Sequence, residues 1–188
     1  MKAARQLWHE HLKDVPLKKL VFIDESGAQT NMTRTHGRAP RGVRVIEKVP
    51  HGHWMTTTMI SAIRTTGPFA AALVNGPTDS DVFRTYVEYV LAPELKRGDV
   101  VILDNLRPHK AAGVREMIEK AGAKLLYLPP YSPDFNPIEP MWSKVKRHLR
   151  SAAARTCEAL QTAVWKGLDR VTPKDCVGFF RHCGYFAT

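Results

Sequence analysis

Hydrophobic positions along this chain fall into two kinds of pattern. Residues 19–23 and 100–103 each hold an uninterrupted apolar run, Leu-Val-Phe-Ile and Val-Val-Ile-Leu, as in strands buried on both faces. Residues 54–63 are rich in β-branched side chains and read as another strand. A turn at 64–68 containing Gly67 and Pro68 lets 69–74 pair back against it. Around 42–46 apolar and polar residues partly alternate, which predicts a half-buried strand, while 25–42 reads as loop or hairpin tip. Together these segments predict an antiparallel meander.

Helical spacing takes over elsewhere. Residues 2–13 read as a short polar helix. Asp79 or Ser80 caps a helix reaching Leu91, with Val82, Phe83, Tyr86, Val87 and Val90 on one face. A helix over 111–121 closes at Gly122, and 125–128 is a further short strand. Prolines at 129, 130 and 133 impose a rigid loop, and helices follow at 137–150, 157–171 and 173–183. A meander followed by alternating strands and helices predicts an α/β fold, a mixed sheet flanked by helices.

Three carboxylates sit at positions with chemical consequence. Asp24 and Asp104 follow the two most apolar strands, where sites form beyond strand ends. Glu139 opens the helix after the proline-rich loop. At ~100° per residue, Ile138, Trp142, Val145 and Leu149 share the core stripe of that helix, and Glu139, Lys146 and Arg150 share another. Such a set of acids suits hard divalent cations working on phosphodiesters. The plainer reading of Glu139 is a favourable charge at a helix N-terminus. Glu25 is set aside, because its side chain points to the other face of its strand.

Composition narrows the setting. A chain of 188 residues with 44% apolar content fits one domain with a real core. No apolar run approaches membrane-spanning length, and Met1-Lys-Ala-Ala-Arg lacks a signal core, so a soluble intracellular protein is expected. Cys157, Cys176 and Cys183 are an odd number and read as reduced thiols. Cys176/His182/Cys183 matches no common zinc-finger spacing and lacks an evident fourth ligand, and His51/His53 is a weak ligand signal, since alternate strand positions often hold histidine by chance. The net charge of +10 points to a polyanion. Its two densest clusters are Arg34, Arg38, Arg41 and Arg44, and Lys144, Lys146, Arg147, Arg150 and Arg155, the second with no acid within it; the plainer reading is a solvated face.

The blocks Asp24-Glu-Ser, Asp104-Asn-Leu-Arg-Pro-His109-Lys110 and Ser132-Pro-Asp-Phe-Asn136-Pro-Ile-Glu139 resemble the DDE transposases of the mariner superfamily, and within it the bacterial insertion-sequence branch. The 34 residues between Asp104 and Glu139 (105–138) match that branch, as do Arg34-Thr-His-Gly-Arg38 and His51-Gly-His53-Trp54. The resemblance covers roughly 15–185. It implies an RNase H-like fold, two Mg²⁺ or Mn²⁺ ions on Asp24, Asp104 and Glu139, and cut-and-paste DNA transposition. Arg34, Arg38, Arg41, Lys110, Lys146 and Arg150 are the expected DNA contacts, with His109 a candidate helper and Asn105 and Asn136 supporting residues. Complete relatives carry an N-terminal helix-turn-helix region. Here 1–18 reads as a helix and linker remnant and 19–188 as the catalytic domain, so recognition is expected on a separately encoded partner or lost. The further partners expected are transposon-end and target DNA and a second copy of the chain, at the nucleoid in the cytoplasm. The rival readings are an RNase H-like nuclease or resolvase without strand transfer, and a non-catalytic DNA-binding remnant.

Overall fold

The computed structural model describes residues 2–186. Five strands form one sheet: β1 (Leu20–Gln29), β2 (Thr56–Arg64), β3 (Gly67–Asn75), β4 (Val100–Leu103) and β5 (Lys124–Tyr127), in the order β3-β2-β1-β4-β5. The first three are antiparallel neighbours, whereas β4 runs parallel to β1 and β5 parallel to β4. The helices are α1 (Lys2–Leu12), α2 (Ser80–Tyr86), α3 (Val114–Lys120), α4 (Ile138–Ala152), α5 (Cys157–Asp169) and α6 (Pro173–His182).

Alternation along the central strands divides the core into two layers. Leu20 and Phe22 of β1 and Val100 and Ile102 of β4 pack with α1, α4, α5 and α6. Val21, Ile23, Val101 and Leu103 pack on the other face with α2 and α3. Helix α4 presents Ile138, Met141, Trp142, Val145 and Leu149 to the first layer, all essentially buried. Each such side chain contributes ~1.5–3 kcal/mol of transfer free energy. Pro137 and Pro140 flank its first turn, where a missing N–H costs nothing.

Several expectations change. Strand β1 does not stop before Asp24 but runs on to Gln29, because β2 pairs with it through Gln29 opposite Thr56. What ends near Asp24 is its parallel partner β4. No strand forms over 42–46: Gly37, Pro40, Gly42 and Pro50 interrupt the segment, Gly42 has φ 84°, and 34–49 is exposed throughout. Helix α2 stops being regular at Tyr86 and widens into one π turn over 87–91, just before Pro93, which has no N–H to continue the ladder. The helix expected from 111 starts at Val114, after Gly113 at φ 88°. Helix α1, ahead of the boundary expected at residue 19, buries Trp8 and Leu12 in the α4-side core, and Trp8 Nε1 donates to Tyr185 Oη at 2.7 Å. The three cysteines are free, Cys176 and Cys183 being buried.

Candidate active site

Strand register brings the two aspartates to one level. Phe22 lies opposite Ile102 in the parallel β1–β4 pair, so two residues further on Asp24 reaches the level of Asp104. Both continue the alternation of Leu20/Phe22 and Val100/Ile102, the face covered by α4. Glu139 stands on the first turn of that helix. Asp24, Asp104 and Glu139 line a single cavity of about 510 Å³, walled by Leu128–Pro133 and floored by Asn136. As placed, the described residues include no cluster of three His, Cys, Asp or Glu that would hold an ion.

Their electrostatics differ sharply. Asp24 is 8% exposed and accepts one hydrogen bond, from the Glu25 N–H at 2.8 Å. Burial, and then the Glu139 charge, push its pKa up to about 8. Asp104 is half-exposed. Burial pulls its pKa upward, but the contact with His109, the Leu106 N–H at 2.9 Å and the Lys110 charge outweigh that and hold it below its usual value. A cation in the cavity would favour the ionised form of Asp24, which burial opposes.

His109 occupies the step between the two faces of the sheet. It is fully buried, its Nε2 lies 2.8 Å from Glu25 Oε2, and its Nδ1 lies 2.6 Å from Asp104 Oδ1, off the direction in which a ring N–H would point. Burial lowers its pKa, yet the two carboxylates outweigh burial and raise it to about 9. Phe83 packs on the ring, with centroids 4.4 Å apart, and Tyr127 Oη donates to the His109 carbonyl. Glu25 therefore does point away from Asp24, as expected, but it reaches the site through His109. Sequence reasoning excluded it by looking at one strand; the histidine that joins the two faces comes from the turn after β4.

Asn105 Nδ2 donates to the Leu128 carbonyl and its Oδ1 accepts from Lys110 Nζ, so this side chain ties the two cavity walls together. Asn136 is 4% exposed, lines the cavity, and has a side-chain oxygen with no partner. An unpartnered buried acceptor beside three carboxylates, with every donor an oxygen, fits a hard divalent cation.

The basic residues separate into groups. Lys110 stands beside Asp104 at the cavity rim. Arg34 and Arg150 meet, together with Arg147, in a second cavity along α4. Lys146 is half-buried on α4, and Arg38 and Arg41 are exposed in the loop after β1. The cluster free of acids in sequence is not free of them in space. Lys144 pairs with Asp175 of α6, and Arg155 donates to the carbonyls of Thr30 and Met32.

Known proteins resemble this chain in sequence and in fold. A family described as DDE superfamily endonuclease matches residues 19–161. The Tcb2 transposase of Caenorhabditis briggsae is 28% identical over 163 residues, covering 80% of this chain and 55% of that protein. The Tc1 transposase of Caenorhabditis elegans is 32% identical over 92 residues, 47% of this chain and 33% of that protein. The chain thus spans about half the length, or less, of these relatives. Among solved structures, a Mos1 mariner paired end complex with Mn superposes with a TM-score of 0.71 at 16% identity, over 97% of this chain and 56% of that one. The catalytic domain of Mos1 mariner transposase gives 0.60 at 15% identity, over 100% and 93%. The shared architecture is the RNase H-like fold.

Proposed function

The chain belongs to the DDE superfamily endonucleases, and from that premise we propose that it is the catalytic domain of a transposase, cutting DNA strands and joining them to a target. The observation that carries the reading is the convergence of Asp24, Asp104 and Glu139 from β1, the end of β4 and α4 on one cavity. Asp24, Asp104 and Glu139 would hold Mg²⁺ or Mn²⁺, two ions in this reading, supplying activation of a water or 3′-hydroxyl and charge stabilisation at the leaving oxygen. Support comes from the Mos1 structures described with Mg and with Mn.

The chain's own residues set the geometry. The Glu25 N–H fixes the Asp24 carboxylate, and the Leu106 N–H and His109 fix Asp104. Glu25 holds His109 from the far face of the sheet, so Asp104 cannot rotate without disturbing a fully buried ring. Glu139 is exposed on the first turn of α4, where its carboxylate faces the same cavity. Ser132 lines the cavity, but its hydroxyl donates to the Pro130 carbonyl and accepts from Arg5, which is in keeping with attack by water or by a DNA end rather than by this side chain.

Lys110, Arg34, Arg38, Arg41, Lys146 and Arg150 are read as phosphate contacts, which position DNA without specifying sequence. The 34-residue spacing from Asp104 to Glu139 favours the bacterial insertion-sequence branch. Residues 19–188 form the catalytic domain in this reading, acting in the cytoplasm at the nucleoid, as a homodimer, with sequence recognition on a helix-turn-helix region outside it. The test is a nicking and strand-joining assay on labelled duplex with Mg²⁺ or Mn²⁺. Metal-dependent cleavage that survives in Asp104→Ala refutes the assignment. Cleavage without any joined product selects the hydrolytic nuclease instead.

A further inference from the structure

A second cavity, of about 440 Å³, opens further along α4. The loop after β1 contributes Arg34 and His36, and α4 contributes Ser143, Arg147, Arg150 and Ser151; no carboxylate lines it. Neighbouring cations are already engaged: Lys144 by Asp175, Arg155 by the carbonyls of Thr30, Met32 and Ala154, Arg170 by His148. Arg34, Arg147 and Arg150 have no such partner among the described residues. Three guanidinium groups gathered without a counter-charge repel one another, and an external anion relieves that repulsion. The cavity is also braced. Arg155, just past the end of α4, holds the carbonyls of Thr30 and Met32, which keeps Arg34 beside the helix.

We propose that this cavity is a phosphate clamp for duplex DNA, seating backbone phosphates on the order of four to five base pairs from the one cut at the triad. The ligand chemistry follows from the lining. Guanidinium forks match phosphate oxygens bidentately, and serine hydroxyls add donors without sequence preference. The spacing follows from the helix. Glu139 and Ser143 share a stripe with Arg150, so the two cavities lie in line along α4. At ~1.5 Å per residue, Arg147 and Arg150 lie roughly 12 and 17 Å beyond Glu139 along the axis. At ~3.4 Å per base pair, a duplex following that axis advances about four to five pairs over that distance. Because the distance is counted from Glu139, the spacing rests on the reading of the triad as the cutting site; the clamp itself does not.

The test pairs Arg147→Gln/Arg150→Gln with a control carrying the same charge loss, Lys120→Gln/Lys124→Gln, two exposed cations of α3 and β5 that line neither cavity. Binding to a duplex is measured by fluorescence anisotropy in EDTA across a salt series, with circular dichroism and thermal melting showing that each variant is folded. The clamp predicts a salt slope shallower by about two for the α4 variant, so that it loses about tenfold less affinity than wild type between 50 and 200 mM salt. The control variant should change the slope by less than half as much. An unchanged slope for the α4 variant, or an equal change in the control, overturns the clamp in favour of diffuse charge. For the spacing, single methylphosphonates are placed along a duplex whose Mn²⁺-dependent cut has been mapped. Weakening of wild-type binding, absent in the α4 variant, at about four to five pairs from the cut supports the spacing; weakening only elsewhere overturns it. If wild type makes no cut, the proposed catalytic function fails while the salt slope still decides the clamp.

Discussion

Replacing Asp24 with Asn should make the metal-free protein more stable, and increasingly so as pH rises. The native carboxyl is buried, beside the Glu139 charge, and ionises only near pH 8, against 3.8 ordinarily. Between those values the unfolded chain releases a proton that the folded chain keeps. The folded-state pKa is raised, so this group's contribution is fully present below about pH 4 and is lost as pH climbs through about 8. Stability then falls by about 1.4 kcal/mol per pH unit on account of this one side chain. A shift of about four units caps the effect at about 5 kcal/mol. Asn keeps an oxygen for the Glu25 N–H and removes the charge, so a gain of about 2–5 kcal/mol is expected at pH 8.5. With a urea slope of about 2 kcal/mol per molar, the midpoint rises by about 1–2.5 M. The assay is urea unfolding by circular dichroism in EDTA at half-unit steps from pH 5 to 8.5, comparing wild type with Asp24→Asn. Millimolar Mn²⁺ should then raise the wild-type midpoint more than the variant's. A difference between the two proteins that stays flat with pH, or a variant less stable at pH 8.5, refutes the reasoning.

Glu139→Ala should reduce metal-dependent nicking to background while circular dichroism and melting temperature stay near wild type, since its side chain is exposed at the cavity; Asp104→Ala should abolish nicking too but lower the melting temperature, because it removes one of the two carboxylates facing buried His109, and nicking retained in either folded variant refutes the assignment. Glu25→Gln removes one of the two charges holding the His109 proton, so the imidazole pKa, now about 9, should drop by at least one unit in an NMR titration; on the activity side, loss of an outlying support of this kind costs about 10–100-fold, and an unchanged titration rejects the bridge. Asp99→Ala should cost about 3–5 kcal/mol in urea unfolding at neutral pH, because Arg64 at the end of β2 loses the buried carboxylate that its guanidinium bonds just ahead of β4, on the far side of β1; a cost below 1 kcal/mol shows the pair to be dispensable.

The sequence by itself determined the elements whose signal is local. Uninterrupted apolar runs gave β1 and β4, a 3.6-residue stripe gave the buried face of α4, and prolines gave the rigid cavity wall. The three acids were legible because Asp24 and Asp104 each follow an apolar run and Glu139 opens a helix. Contacts between elements carry no local signal, and there the tertiary structure decided. Strand β1 runs through Asp24 to Gln29 because β2 is there to pair with it, while the alternation at 42–46 remains loop because no partner strand lies beside it. Glu25 enters the site because His109 crosses from one face of the sheet to the other. Lys144 and Arg155 leave the pool of free cations because α6 and the loop after β1 fold against them. Hydrophobic period is a property of neighbours in the chain, but hydrogen bonds and ion pairs belong to neighbours in space. Only the fold could therefore say which charges are held and which have no partner among the described residues.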